Sequence, residues 1–414
     1  LMQMQAIQMA ATASTATGTA VPATAITWSS LDERIATIDP HGLLLPRKPG
    51  TARIVARAGA AADTSMVGVG MRWLDVSLTP GSGGCGIGGD STAYCWSDSV
   101  LIGSAASQRR PVEVLGGVRF SSIAAGSSAS CGLTSSGEAY CWGENDVGQL
   151  GTIGGPASLK AIPVQSAGVR FTQLSSSADY TCGVATTGVV YCWGSNEYGQ
   201  LGITDGRMLP TPTPVPGLPR ATKVTTGLVS TCALITDGRV YCWGTNIWGQ
   251  LGRANVSDGW LAAGPIVGDR TYRDVAISIS GGCAIAVGDG AYCWGNYGTA
   301  TVSEATPLLF PGTADFTSLV AGELNRCGLT PVGAKCWGSN FSGQLGIGSA
   351  MPGVGPMLVV NSANFVKLTF GGEAACALTS TGDVFCWGAN YWGQLGDGTV
   401  TSRNTPTKLL DPIT

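Results

Sequence analysis

Histidine is almost absent from this chain of 414 residues: there is one, His41, in the turn-like stretch Asp39-Pro40-His41-Gly42. A single imidazole excludes the zinc sites that need two. Charge is scarce as well. Lysine, arginine, aspartate and glutamate make up 12% of the residues, the net charge is −3, and no run of lysine or arginine occurs. Nucleic acid, which binds largely through phosphate neutralisation, is therefore not an expected partner. No stretch of 18 apolar residues is present, so no membrane-spanning helix is expected. Cys-x-x-Cys, the nucleophile elbow, the phosphate loop and the calcium loop are all missing. Carboxylates such as Glu323 and Asp397 show no readable pairing. No catalytic residue, metal ligand or cofactor is assigned. No signal peptide is visible at Leu1, where the chain already reads as a strand, and a longer precursor is expected.

Glycine, by contrast, is abundant, at 62 residues. With so few charges, this composition favours tight turns and all-β structure. Fourteen cysteines fall into seven pairs with none left over. Six pairs are spaced alike: Cys85 and Cys95, Cys131 and Cys141, Cys182 and Cys192, Cys232 and Cys242, Cys283 and Cys293, and Cys376 and Cys386. The seventh, Cys327 and Cys336, is one residue shorter. Tryptophan follows the second cysteine every time, from Trp96 to Trp387. A unit repeated at a fixed period is an architecture. Around each pair lie an aromatic and an aliphatic upstream (Phe120 with Ile123, Phe171 with Leu174), a glycine turn, and a proline with aliphatics downstream (Pro163 with Val164, Pro214 with Val215). Each unit thus offers four short strands bounded by turn residues.

The cysteine spacing fits a hairpin. If Cys131 faces Cys141, Thr134 faces Glu138 and Ser135-Ser136-Gly137 is a three-residue loop. Such loops want a left-handed residue last, and Gly137, Gly188, Gly238 and Gly382 occupy that place. Facing cysteines of a non-hydrogen-bonded pair lie about 4.5 Å apart at Cα, within disulfide range. Complete pairing favours disulfides over free buried thiols. Each would close a loop of about ten residues, for about 2–3 kcal/mol in the chain-entropy model. Seven of them place the chain in an oxidising compartment: periplasm, cell surface or medium. Strand alternation sends Cys141 one way and Tyr140 and Trp142 the other. Recurrence of the tryptophan at one strand position favours core between repeats over a ligand cage.

The run Tyr191-Cys192-Trp193-Gly194-Ser195-Asn196-Glu197-Tyr198-Gly199-Gln200-Leu201-Gly202 resembles the repeat of the regulator of chromosome condensation family. Segments 142–151, 243–252, 337–346 and 387–396 follow it, and the resemblance covers residues 73–414. It implies a seven-bladed β-propeller of four-stranded blades. After Trp96 and after Trp294 the Gly-Gln-Leu-Gly segment is lost, so the first and fifth blades should have altered outer loops. Ring closure is expected by mixing strands from both ends, the segment Thr405 to Leu410 pairing beside N-terminal repeat strands.

Residues 1–70 resemble a bacterial group 2 immunoglobulin-like domain. The carrying stretches are Ile26-Thr27-Trp28-Ser29-Ser30, Ile35-Ala36-Thr37-Ile38-Asp39, Gly42-Leu43 and Pro49-Gly50-Thr51-Ala52-Arg53-Ile54. Met2, Met4 and Met9 read as strand packing. The resemblance implies a β-sandwich of the kind that serves as a spacer on surface proteins. The leading expectation is a non-enzymatic, extracytoplasmic protein-interaction or structural scaffold of a bacterial cell surface. A secreted protein inhibitor or accessory subunit of a membrane complex is the alternative, and a hydrolase comes last. A protein partner is expected, with a membrane-bound or cell-surface assembly as candidate. The loops before each second strand are poor in aromatics, Tyr180 excepted. The loops within Asn-x-x-Gly-Gln-Leu-Gly carry Tyr198, Trp248, Phe341, Tyr391 and Trp392. These side chains either line a binding face or pack on their own blade. Trp260, in the insertion 255–260, marks a second candidate surface.

Overall fold

The computed structural model describes residues 6–81, 83–97, 108–254, 257–296 and 304–412. The loops expected to be altered after Trp96 and Trp294, and Met2, Met4, Asn255 and Val256, lie outside these residues. Near the N-terminus, two three-stranded sheets enclose a small core of Ala36, Leu44, Ala52, Ile54 and Val69. One sheet comprises Ile7–Gln8, Leu43–Pro46 and Ala36–Ile38; the other comprises Thr27–Ser30, Gly50–Ala58 and Ala61–Val69. Met9 and Trp28 pack against the same core.

From Trp73 onward the described residues form seven four-stranded antiparallel sheets, spanning 73–113, 122–163, 171–214, 221–265, 272–309, 318–358 and 365–408. The second is representative: Ser122–Ala125 is innermost, then Ala129–Leu133, Ala139–Gly143 and, outermost, Ser158–Pro163. Cys131 pairs directly with Cys141 in the ladder. Thr134 N–H donates to Glu138 O at 2.9 Å, and Gly137 closes the turn at φ 79°. All seven expected pairs are disulfides. Cys85 is bonded to Cys95, Cys131 to Cys141, Cys182 to Cys192, Cys232 to Cys242, Cys283 to Cys293, Cys327 to Cys336 and Cys376 to Cys386, with Cα atoms 4.0–4.1 Å apart. The shorter hairpin of Cys327 and Cys336 keeps its facing cysteines because Thr330 pairs with Gly333 across a two-residue turn.

The tryptophans join one sheet to the next. All seven that follow a second cysteine are fully buried. The indole N–H of Trp193 donates to Gln149 O, Trp243 to Gln200 O, Trp294 to Gln250 O and Trp387 to Gln344 O, at 2.8–3.2 Å. Each acceptor belongs to the Gly-Gln-Leu-Gly segment of the preceding sheet. Among the described residues, the indole nitrogens of Trp142 and Trp337 have no partner. Their preceding sheets are the two that lack the segment. A fully buried Arg326 stands where the other sheets place a small residue before the first cysteine, and it donates across to Gly281 O. Burial holds its guanidinium down to about 10.

The same bond closes the ring. Trp96, in the first sheet, donates to Gln394 O, in the last, at 2.8 Å. The expected mixing of strands does not occur: Arg403–Lys408 pairs with Val384–Gly388, and each of the two sheets is built from one end of the chain alone. A mixed sheet is unnecessary because side chains bridge the seam as they bridge other junctions. Lys367 pairs with Asp75 in the way that Lys223 pairs with Asp274. The second carboxylate oxygens of Asp75 and Asp274 accept Ile123 N–H and Leu319 N–H from the following sheet. Leu78 N–H donates to Thr369 Oγ1 at 3.1 Å. Beyond the last strand, Leu409 enters the core shared with Trp73 and Val76, while Asp411 accepts Met71 N–H at 2.8 Å and Arg110 at 2.9 Å.

Two measurements check these points. Trp193→Phe should destabilise the fold more than Trp142→Phe, by about 1 kcal/mol, because among the described residues only the former breaks a buried hydrogen bond. Equal costs in denaturant titrations would show that the indole bond contributes nothing. Deleting residues 403–414 removes an outer strand, Leu409 and the Asp411 clasp, and should lower the melting temperature of the whole ring. An unchanged melting curve would assign closure to the seam side chains alone.

Candidate functional site

In an antiparallel four-stranded sheet the first and third connections leave one edge and the second leaves the other. The cysteine hairpins therefore share an edge with the links between sheets, and the N-terminal segment enters there at Trp73. The opposite edge carries both the loop before each second strand and the Asn-x-x-Gly-Gln-Leu-Gly loop. The two loops are bonded together, as in Glu144 N–H to Ser128 O, Ser195 N–H to Asp179 O, Ser339 N–H to Leu324 O and Ala389 N–H to Glu373 O, at 2.8–3.0 Å. The scarcity of aromatics noted in the first loop thus does not describe the face, because the second loop supplies them.

Why those aromatics point outward follows from the polar residues around them. Asn196, Asn340 and Asn390 are fully buried, and their side-chain oxygens accept the N–H of Leu201, Leu345 and Leu395 at 2.9–3.0 Å. Gln200, Gln250, Gln344 and Gln394 accept the N–H of Tyr198, Trp248, Ser342 and Trp392 at 2.8–2.9 Å. The amides occupy the interior as surrogate backbone, as polar groups there must be bonded. The intervening residues are left outside. The fourth motif position is held by glycine at positive φ, against which the next sheet's outer strand leans. A Cβ on Gly148 would lie 2.4 Å from Pro210 Cα, and one on Gly343 2.7 Å from Asn404 Cα.

The aromatics differ in exposure. Phe341 is 80% exposed, Tyr391 62% and Trp392 56%. Tyr198, Trp248 and Trp260 are at 42%, 39% and 36%. Trp260 also meets the preceding sheet. It stands in the long outer strand Ser257–Pro265, opposite Thr245, and covers the preceding sheet's loop near Gly199 and Gly206. It caps a junction between sheets.

Tyr391 and Trp392 border an open depression of about 540 Å³ beside the mouth of the central channel. Pro80 and Gly81 line it from the first sheet, Glu323 from the sixth, and Gly372, Glu373 and Gln394 from the seventh. The sequence did not single out Glu373, and Glu323 only as an unpaired carboxylate, because nothing in the chain reveals that residues 50 apart meet. Glu373 accepts Ser342 Oγ–H at 2.9 Å. Partial burial, and then the neighbouring Glu373, hold the Glu323 carboxyl above its ordinary value. Asp397 is different. Burial pushes it up, but hydrogen bonds from Thr399, Arg403 and Asn390 outweigh that and hold it below the usual range. It braces its loop through the Arg403 ion pair at 2.8 Å. Among the described residues no group of three or more histidine, cysteine or acidic side chains is arranged to hold a metal ion, and no helix is long and apolar enough to cross a membrane.

Comparison with known proteins agrees with this architecture. The regulator of chromosome condensation (RCC1) repeat matches residues 120–149, 171–200 and 365–394 in one form and 136–184, 187–234, 237–266 and 381–413 in another. The ultraviolet-B receptor UVR8 of Arabidopsis thaliana is 27% identical over 287 residues, covering 66% of this chain. The chain spans about half the length of that relative, 54%. Human WBSCR16 superposes with a TM-score of 0.68 at 20% identity, over 78% of this chain and 96% of its own. Prp20p of Saccharomyces cerevisiae does so with a TM-score of 0.67 at 20% identity, over 77% and 85%. At these identities the two structures share the fold alone.

The shifted carboxyl gives a test of the pocket. A carboxyl raised in the folded state binds its proton more tightly there than in the unfolded chain, so stability falls as pH rises through that window. Glu323→Gln should therefore raise the melting temperature at pH 7 and lose that advantage in acid, once wild-type Glu323 is protonated. A pH-independent difference between the two proteins would show that Glu323 is not strained by its surroundings.

Proposed function

From a chain carrying regulator of chromosome condensation repeats in an all-β propeller, we propose a non-enzymatic, extracytoplasmic protein-interaction scaffold of a bacterial cell surface. In this reading the propeller has seven blades and the N-terminal sheets are an immunoglobulin-like spacer. The observation that carries it is the loop face. Its aromatics are held in water by rigid, internally hydrogen-bonded loops, and side chains of this kind dominate binding energy in protein interfaces. A preorganised face lowers the ordering cost of association. The seven disulfides support an oxidising compartment. The spacer joins the ring at the hairpin edge, which leaves the loop face directed away from it. Prp20p, whose structure was described with its binding to Gsp1p and histones, supports a protein partner as the ligand class. The alternative, a secreted inhibitor or accessory subunit of a membrane complex, uses the same face and differs in what it meets.

The test is retention on native cell envelopes. Trp248, Tyr391 and Trp392 replaced together by alanine should leave the fold intact by melting and abolish retention. Undiminished retention would remove this face as the contact surface. Substrate turnover abolished by a single carboxylate substitution would overturn the non-enzymatic reading.

A further inference from the structure

The two edges of the ring treat charge differently. At the hairpin edge acids and bases neutralise one another: Arg119–Asp90, Arg170–Glu138, Arg239–Asp237, Lys335–Asp315 and Lys408–Asp383 are ion pairs of 2.6–3.4 Å. The loop edge carries Glu144, Asp146, Asp179, Glu197, Glu323 and Glu373, and among the described residues none of these forms an ion pair. Of the cations at its periphery, Arg207 pairs with Asp205, Arg403 with Asp397 and Arg253 donates to Ala262 O, while the exposed Arg109 lies against Gly393.

We propose that the depression between Glu323, Glu373, Tyr391 and Trp392 receives a cationic side chain, arginine in preference to lysine, from a basic segment of a protein partner. This rests on the loop-face reading above and names its chemistry. Three features converge there. Two carboxylates stand together with no ion pair among the described residues, and partial burial, then the neighbouring Glu373, raises Glu323. Two exposed aromatic rings border the same space, and ring faces attract cations, planar guanidinium most of all. A further acceptor lies against Gly322, at the channel mouth. The Asn325 side-chain oxygen is buried and has no donor among the described residues. It sits against Gly322 on the side facing Gly372: a Cβ on Gly322 would lie 2.0 Å from that oxygen and 3.0 Å from Gly372 O. Gly322, Glu323 and Gly372 all line the channel mouth. The open side of the site thus presents carboxylates, and an apolar or acidic ligand would leave them uncompensated. A guanidinium supplies five N–H donors in one plane. The long-range field of the unpaired acids would steer a basic segment toward this edge and away from the neutralised one.

The experiment uses the full chain and labelled peptides Gly-Arg-Gly-Arg-Gly-Arg-Gly, its lysine and serine counterparts, and its glutamate counterpart, read by fluorescence anisotropy. The arginine peptide should bind most tightly, the lysine peptide less so, and the other two without saturation. Glu323→Gln with Glu373→Gln should weaken arginine-peptide binding by about tenfold or more. Tyr391→Ala with Trp392→Ala should also weaken it. Glu138→Gln with Asp315→Asn removes equal charge at the opposite edge and should leave binding unchanged. If both charge variants lose affinity equally, binding follows net charge and the pocket is not a site. Equal binding of all peptides, or unchanged binding in the variant lacking both pocket carboxylates, also overturns the proposal. If that variant is retained on envelopes while the aromatic triple variant is not, the cation pocket fails and the loop face as contact surface stands.

Discussion

One contact sets the geometry of the ring: a buried indole N–H reaching into the sheet before it. Tryptophan at this position brings a large apolar body, which excludes water, and a single donor that must be satisfied once water is gone. The main-chain carbonyl of the motif glutamine supplies the acceptor. That carbonyl is presented only if its loop is rigid, and the loop is rigid because its asparagine and glutamine side chains accept its own N–H groups. A single motif therefore spaces the sheets, aims the indole acceptor and expels the residues between its polar anchors to the surface. Core and exposed aromatic face are two consequences of the same loop.

Loss of the motif shows the same dependence from the other side. Two sheets lack it, and the indoles that should lean on them are the two without a partner among the described residues. At one of these junctions Arg326 and Phe310 fill the space; Phe310 stacks on Trp337 with ring centroids 5.0 Å apart. The disulfides play a more local part. Each ties two strands already adjacent in a hairpin, so it strengthens a sheet without deciding how sheets meet.

Charge and shape divide the ring between two tasks. The hairpin edge neutralises its own charges and bears the N-terminal sheets. Among the described residues, the loop edge leaves acids unpaired beside exposed rings. Lysines that could have neutralised it, Lys223 and Lys367, are instead committed to sheet-to-sheet pairs inside the channel. Stability of the ring and polarity of its surface are thus drawn from the same small stock of charged side chains.

Repetition is what made the fold legible in the chain. Facing cysteines, the left-handed glycine at 137 and its equivalents, and the tryptophan facing the neighbouring sheet all follow from local periodicity and turn chemistry. Local rules hold wherever the unit recurs. Closure was not legible, because the seam joins residues about 300 apart and depends on Lys367 meeting Asp75 and Asp411 meeting Met71 and Arg110, with no strand exchanged. Nor was the pocket. Glu323, Glu373 and the Tyr391–Trp392 pair belong to three different loops, and only the curvature of the ring brings them around one depression. The chain by itself determined what each unit is: strand lengths, hairpin register, disulfide partners and which side chains the loop motif could not bury. The tertiary structure alone decided which unsatisfied groups face one another, because that depends on the rotation between sheets, and the rotation is set by packing across every junction at once.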